Sequence, residues 1–174
     1  MNLTLSILKE ICPYGSSVKI GNYLPFLNSM MPLFEINTLL RERHFIAQVA
    51  WESGSFNYNE EIASGAAYEG RKDLGNVNPG DGVRFKGRGL IQITGRNNYT
   101  LINKELSIDC VNHPELLSQW DFAVESACWF WRKNGLNELA DMDDIKKITK
   151  RINGGYNGVT GRMALYKLAQ IYIV

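Results

Sequence analysis

Histidine, cysteine and charge of either sign in excess are all scarce in this sequence, and each scarcity removes a class of function. Only His44 and His113 occur among 174 residues, far apart along the chain. Usual ligand spacings then give a zinc centre little support. The three cysteines, Cys12, Cys110 and Cys128, are odd in number and form no C-x-x-C pair. That usage suits a reducing compartment and offers no disulfide framework. The formal net charge is +1, without the clear basic excess of a dedicated nucleic-acid binder, although local basic patches are not excluded. No apolar run approaches the roughly 18 residues of a membrane span. The N-terminal segment is interrupted by Lys9 and Glu10, and no small-residue cleavage site follows it. The expectation is a protein without secretory signal or stable membrane insertion, made in a cytoplasm.

What the sequence does have is apolar and aromatic material: 45% hydrophobic residues, with four Trp, eight Tyr and seven Phe. That composition is globular, and the length suits one domain over residues 1–174 with no second sizeable core. Periodicity and punctuation predict a mainly α fold. Short helices are expected over Thr4–Cys12 and Ile20–Met31, punctuated by Pro13 and Pro32, and a strong helix over Ile36–Ser53, ended by Gly54. Gly, Asn, Asp and Pro then crowd residues 57–89, which reads as a long loop or short hairpin. Residues 90–94, Leu-Ile-Gln-Ile-Thr, read as a short strand or extended piece before a helix near Asn97–Leu106. Further helices are expected to open at Pro114, to run from Asp121 through Trp131, and to cover Asp143–Arg151 and Thr160–Tyr172.

Glu52 is the first candidate for chemistry. Phe45, Val49, Glu52 and Phe56 fall at i, i+4, i+7 and i+11, one face of a helix. A carboxylate on an apolar stripe is partly desolvated, and one at a helix C-terminus meets the negative end of the macrodipole. Both effects favour its protonated form, as a general acid requires. The plainer reading is a helix-terminal Glu reaching solvent or an Arg. A glycosidase needs a second carboxylate, and an inverting one keeps the pair about 6.5–9.5 Å apart to admit a water. Glu60, Glu61 and Glu69 are all available, and Glu69 has Arg71 or Arg88 as alternative structural partners. Strand alternation would turn Ile91 and Ile93 to the core and Gln92 and Thr94 to a cleft, where an amide binds a sugar and a hydroxyl orients water. An ordinary half-buried strand is the competing reading. Trp51, Tyr58, Tyr68, Phe85 and Tyr99 flank these segments as stacking candidates, whereas Trp129, Phe130 and Trp131 read as core.

Three blocks in order carry a resemblance: Phe-Ile-Ala-Gln-Val-Ala-Trp-Glu-Ser-Gly-Ser-Phe (45–56), Gly-Asp-Gly-Val-Arg-Phe-Lys-Gly-Arg-Gly-Leu-Ile-Gln-Ile-Thr-Gly-Arg-Asn-Asn-Tyr (80–99), and Ile-Asn-Gly-Gly-Tyr-Asn-Gly (152–158) with Arg162. Together they resemble glycoside hydrolase family 19, the chitinase-like family that includes many phage endolysins. The resemblance runs from about residue 36 to the C-terminus. It implies a lysozyme-like, mainly α fold with a small β or extended element lining the cleft, and single displacement with inversion. By position it makes Glu52 the general acid, Glu61 the base with Glu69 as the alternative, and Thr94 a holder of the attacking water. It places Gln92, Asn98 and Asn153 at substrate-contacting positions and Arg162 at a supporting one; Tyr68, from the flanking aromatics rather than the resemblance, is the further substrate-binding candidate. Trp51 departs from the His that many chitinases carry, and the segment between Glu52 and the Gly-Arg-Gly string is short.

The implied function is a monomeric endolysin-type hydrolase of β-1,4 bonds in the peptidoglycan glycan strand. It would be made in a bacterial cytoplasm, with no separate wall-binding domain. Reaching the wall in the periplasm would take a holin or a secretion system. No metal, organic cofactor or nucleic-acid partner is implied. A chitinase acting on N-acetylglucosamine polymers is the alternative. A non-catalytic glycan-binding module is a third reading, against which Glu52, Glu61 and Thr94 speak.

Overall fold

A computed structural model describes residues 2–174. The helices are α1 (Leu5–Ile11), α2 (Ser17–Leu33), α3 (Leu39–Glu52), α4 (Asp81–Arg84), α5 (Arg96–Leu106), α6 (Trp120–Lys133), α7 (Leu136–Asp141), α8 (Ile145–Asn153) and α9 (Val159–Tyr172). Thr4, Ser16, Thr38 and Asp144 start α1, α2, α3 and α8, each accepting a bond from a first-turn amide. Short 3-10 turns occupy Ala66–Tyr68, Lys72–Leu74 and Pro114–Ser118.

Helix α3 is the centre of the molecule. Every residue from His44 to Ala50 is buried, which marks a helix surrounded by protein rather than one with a solvent face. It packs mainly on α9 and also on α7, while α2 packs on α6. Phe45 meets Trp131 of α6 edge to face, with centroids 5.3 Å apart, an arrangement aromatic pairs prefer. A second cluster gathers Phe85, Tyr99, Ile102, Ile108, Leu117 and Trp129 under the 80–117 region.

Three expectations need correction. Helix α2 continues through Pro25 and Pro32 to Leu33. Ile20, Tyr23, Leu27 and Met31 bury one face on both sides of Pro25, and that packing outweighs the missing ladder bond. The segment opened by Pro114 is a 3-10 turn rather than an α-helix. The 90–94 segment is not a strand. Residues 89–92 form a tight loop closed by reciprocal Arg88–Ile93 backbone bonds of 3.1 and 2.7 Å. Extended structure among the described residues amounts to the bridges Glu60–Arg88 and Arg88–Ile93. Alternation therefore fails, and Leu90 is buried together with Ile91 and Ile93.

Candidate active site

The chain reverses sharply where α3 ends at Glu52. Gly54, Ser55 and Phe56 are all left-handed, with φ of 56°, 63° and 64°. Only the glycine adopts that region freely, and each of the other two costs roughly 1–2 kcal/mol. Ser53 secures the turn by donating to Val49 O (2.7 Å) and accepting from Phe56 N (2.9 Å). Phe56 is thereby driven into the core, so it reaches the Phe45–Val49 side through the turn and not as part of the helix. Local strain held by its surroundings is a recurrent mark of functional sites.

Glu52 itself is half-buried and faces α9. Its Oε1 accepts from Arg162 Nη2 at 2.5 Å. Arg162 is only 2% exposed, and its Nη1 donates to Gln48 Oε1, also at 2.5 Å. Gln48 stands one helical turn before Glu52 on α3, so one planar guanidinium spans both side chains, as its fork geometry permits. Trp51, 41% exposed, lies on the start of α9, where Gly158 and Gly161 leave room for its ring.

A second set forms around Glu61. Residues 59–61 run beside 87–89, with Glu61 N bonded to Gly87 O (2.9 Å) and Gly89 N to Asn59 O (2.9 Å). The Glu61 carboxylate accepts from Tyr68 Oη and from Gly87 N, both at 3.1 Å. Burial and then Glu61 raise the Tyr68 phenol above its ordinary range. A Cβ at Gly87 would stand 2.9 Å from Gln92 Oε1 and 3.2 Å from Glu61 Oε2. Gly87 therefore lets Glu61 and Gln92 share one spot. Gln92 is left-handed (φ 58°) and its amide folds back to donate to Gly89 O. Thr94 Oγ1 donates to Gln92 O, and Asn98 Nδ2 to Thr94 O, so these three are linked in one chain.

The remaining carboxylates are engaged elsewhere. Glu60 pairs with Lys86 and Arg88, each at 3.2 Å. Glu69 accepts from Gly80 N (2.7 Å) and Gly82 N (2.8 Å), closing the loop ahead of α4. It pairs with neither Arg71, which binds Asp73, nor Arg88. Asn153 ends α8 on the surface and reaches Asn157 O at 3.3 Å. No hydrogen bond or ion pair among the described residues joins the Glu52 set to the Glu61 set. Nor does any group of three or more His, Cys, Asp or Glu side chains converge as a metal centre would require, again among the described residues. Gln48 is the residue that sequence reasoning missed. Its signal is a lone amide in the apolar run 45–50, four positions before Glu52.

Helices wrapped around a buried central helix that ends in a glutamate define the lysozyme-like class of fold. The family model for class I chitinases of glycoside hydrolase family 19 matches residues 46–161, more than half of the chain. The chain belongs to that family. A family 19 domain-containing protein of Haemophilus influenzae is 37% identical over 111 residues, covering 64% of this chain and 54% of that protein. An endochitinase of Arabidopsis thaliana is 38% identical over 111 residues, 63% of this chain and 38% of its own length. The chain thus spans about half, or less, of the length of these curated relatives. Among solved structures, chitinase C of Streptomyces griseus aligns with a TM-score of 0.77 at 19% identity, over 97% of this chain and 76% of that one. A class IV chitinase of Zea mays aligns at 0.75 and 22% identity, over 98% and 92%. Both share the fold.

Proposed function

We propose that this chain hydrolyses β-1,4 bonds of the peptidoglycan glycan strand by an inverting acid–base mechanism. The observation that carries the reading is Glu52, set at the strained end of a buried helix; its pairing with Arg162, itself anchored on Gln48, is that of the ionised carboxylate, the state left after proton transfer. Glu52 gives its proton to the leaving glycosidic oxygen as the bond to the anomeric carbon breaks. Glu61 takes a proton from a water that attacks the opposite face, and Thr94 orients that water. Arg162 then holds the carboxylate left on Glu52. In this reading Gln92, Asn98, Asn153 and Tyr68 contact the sugars. The protein works as a monomer, made in a bacterial cytoplasm and released to the wall through a holin or a secretion system.

Glu52→Gln and Glu61→Gln should each abolish the release of reducing ends from purified sacculi and the clearing of outer-membrane-permeabilised Gram-negative cells. Full activity in Glu52→Gln overturns the assignment. Mass analysis of the released muropeptides identifies the reducing-end sugar and hence the bond. A chitinase is the second reading, favoured by the endochitinase names of the plant relatives. Incubation with soluble chitin oligomers beside sacculi separates the two by product.

A further inference from the structure

The last thirty residues hold six basic side chains and no acidic one, while the preceding 144 hold 13 basic against 18 acidic. Arg162 is spent on Glu52. The other five, Lys146, Lys147, Lys150 and Arg151 on α8 and Lys167 on α9, are exposed. Helix stability accounts for only part of this set: Lys150 and Arg151 lie in the last turn of α8, where cations suit the helix dipole, and Arg151 also donates to Asn134 O. Lys146 and Lys147 occupy the first turn of α8, where cations meet the positive end of the helix dipole. Lys146 with Lys150 and Lys147 with Arg151 are like-charge pairs at i, i+4, which also disfavour the helix. Asp144 neutralises Lys147 at 2.9 Å. Asp141 and Asp143, just ahead, are committed to Arg41 and His44. Lys146, Lys150 and Lys167 have no carboxylate partner among the described residues. A depression of about 380 Å3, floored by Val159, Met163 and Ala164, lies between Lys146 and Lys167. Lys150 stands over the exposed ring of Tyr156, 5.8 Å from its centroid. This face lies next to the surface around Trp51, the residue before Glu52, because Ala164 lines both that depression and the one bordered by Trp51 and Gly161.

We infer that the α8–α9 face is an electrostatic anchor for the carboxylates of peptidoglycan stem peptides flanking the bond held at Glu52. The inference rests on the peptidoglycan reading above and deepens it. Charge complementarity selects the occupant: stem peptides carry carboxylates along the strand, whereas chitin is uncharged. The apolar floor suits the short aliphatic parts of such a peptide, and the lysines at its rim suit the acid groups.

The test measures binding of the whole chain to Gram-negative sacculi, which lack teichoic acid phosphates, before and after their carboxyls are converted to amides. The parent protein should bind native sacculi on the order of tenfold more tightly, since exposed pairs are individually weak but act together. That advantage should shrink as salt rises from about 0.05 to 0.5 M. The variant K146E/K150E/K167E should lose it while melting at the parent temperature. Equal binding of the parent to native and amidated sacculi overturns the anchor, and this arm needs no variant to fold. Release of reducing ends without any charge dependence likewise removes the anchor and leaves the role of Glu52 standing. Charge-dependent binding with no reducing ends released supports the anchor and removes the hydrolase reading instead.

Discussion

Arg162 bridges Gln48 and Glu52, two residues one turn apart on the central helix, with 2.5 Å contacts to each. The guanidinium is almost wholly enclosed, so its loss has two consequences. Arg162→Met leaves the Gln48 carbonyl oxygen buried without a donor, at a cost of about 1–3 kcal/mol, and frees Glu52 to rotate. Hydrolysis should fall at least tenfold in kcat with a lowered melting temperature. Arg162→Lys keeps the charge but cannot span both side chains, because an ammonium is a point donor without the planar fork. It should restore stability more than turnover. Parent-like kcat in Arg162→Met refutes the positioning role.

Glu69 and Glu61 differ in what occupies their oxygens, and that difference predicts opposite phenotypes. Both Glu69 oxygens are taken by the amides of Gly80 and Gly82, charge-assisted bonds that hold the loop before α4. Glu69→Ala should lower stability by about 1–3 kcal/mol and speed hydrogen exchange at those two amides, while retaining measurable hydrolysis. Glu61→Gln should melt like the parent and lose hydrolysis. The reverse pattern would make Glu69 the base.

How much of this was legible beforehand follows from how local each interaction is. Helices α3, α5, α6 and α9 lie within about three residues of their expected limits, since apolar periodicity with a stop such as Gly54 is short-range information. The six-residue α7 was not anticipated, being too short for a periodic signal. The turns within 57–89 escaped because side chains clamp them from afar: Glu69 on Gly80 and Gly82, and Asn76 Oδ1 on Arg96 N. Alternation misled at 90–94 because the left-handed Gly89 and Gln92 close a turn there. At the candidate site, Phe45, Val49 and Glu52 of the expected stripe lie on α3, whereas Phe56 reaches the core through the left-handed turn. The contact of Glu52 with Arg162 joins residues 110 apart in sequence, which no periodic pattern encodes; the motif resemblance gives Arg162 only a supporting position.

Stability should depend on pH in two windows. Burial pushes the His44 imidazole below its ordinary value of 6.5, with Asp143 opposing. The unfolded chain then binds a proton that the folded chain resists, so stability is full above pH 6.5 and declines as pH falls through the lowered value. Asp81, clamped by Arg96 at 2.5 Å, is held below its ordinary 3.8, chiefly by that bond. Its contribution is present above pH 3.8 and is lost as pH falls further. Thermal melts from pH 8 to 3 should show both declines. His44→Phe, which preserves a ring against Tyr166, should flatten the upper one, and Asp81→Asn the lower one. An unchanged upper decline in His44→Phe would assign it to another group.

Trp51 and Gly161 make the sharpest packing test. A Cβ at Gly161 would stand 1.9 Å from Trp51 Cζ3, deep inside van der Waals contact, so Gly161→Ala must expel the ring or push α9 away from α3. Overpacking of this kind costs about 1–3 kcal/mol. Displacing α9 also carries Arg162, the next residue, away from Glu52, so turnover should fall together with the melting temperature. Trp51→Ala removes the obstructing ring. In the double variant Trp51→Ala/Gly161→Ala the added methyl should therefore cost far less than it does alone, an interaction energy of about 1 kcal/mol or more in a double-mutant cycle. If instead the two changes simply add, the ring does not rest on Gly161. The turnover of the double variant then separates the two roles of Trp51. Recovery of kcat beyond Gly161→Ala means the ring matters only through its packing on α9. A double variant that regains stability but not turnover means the exposed ring also meets the substrate.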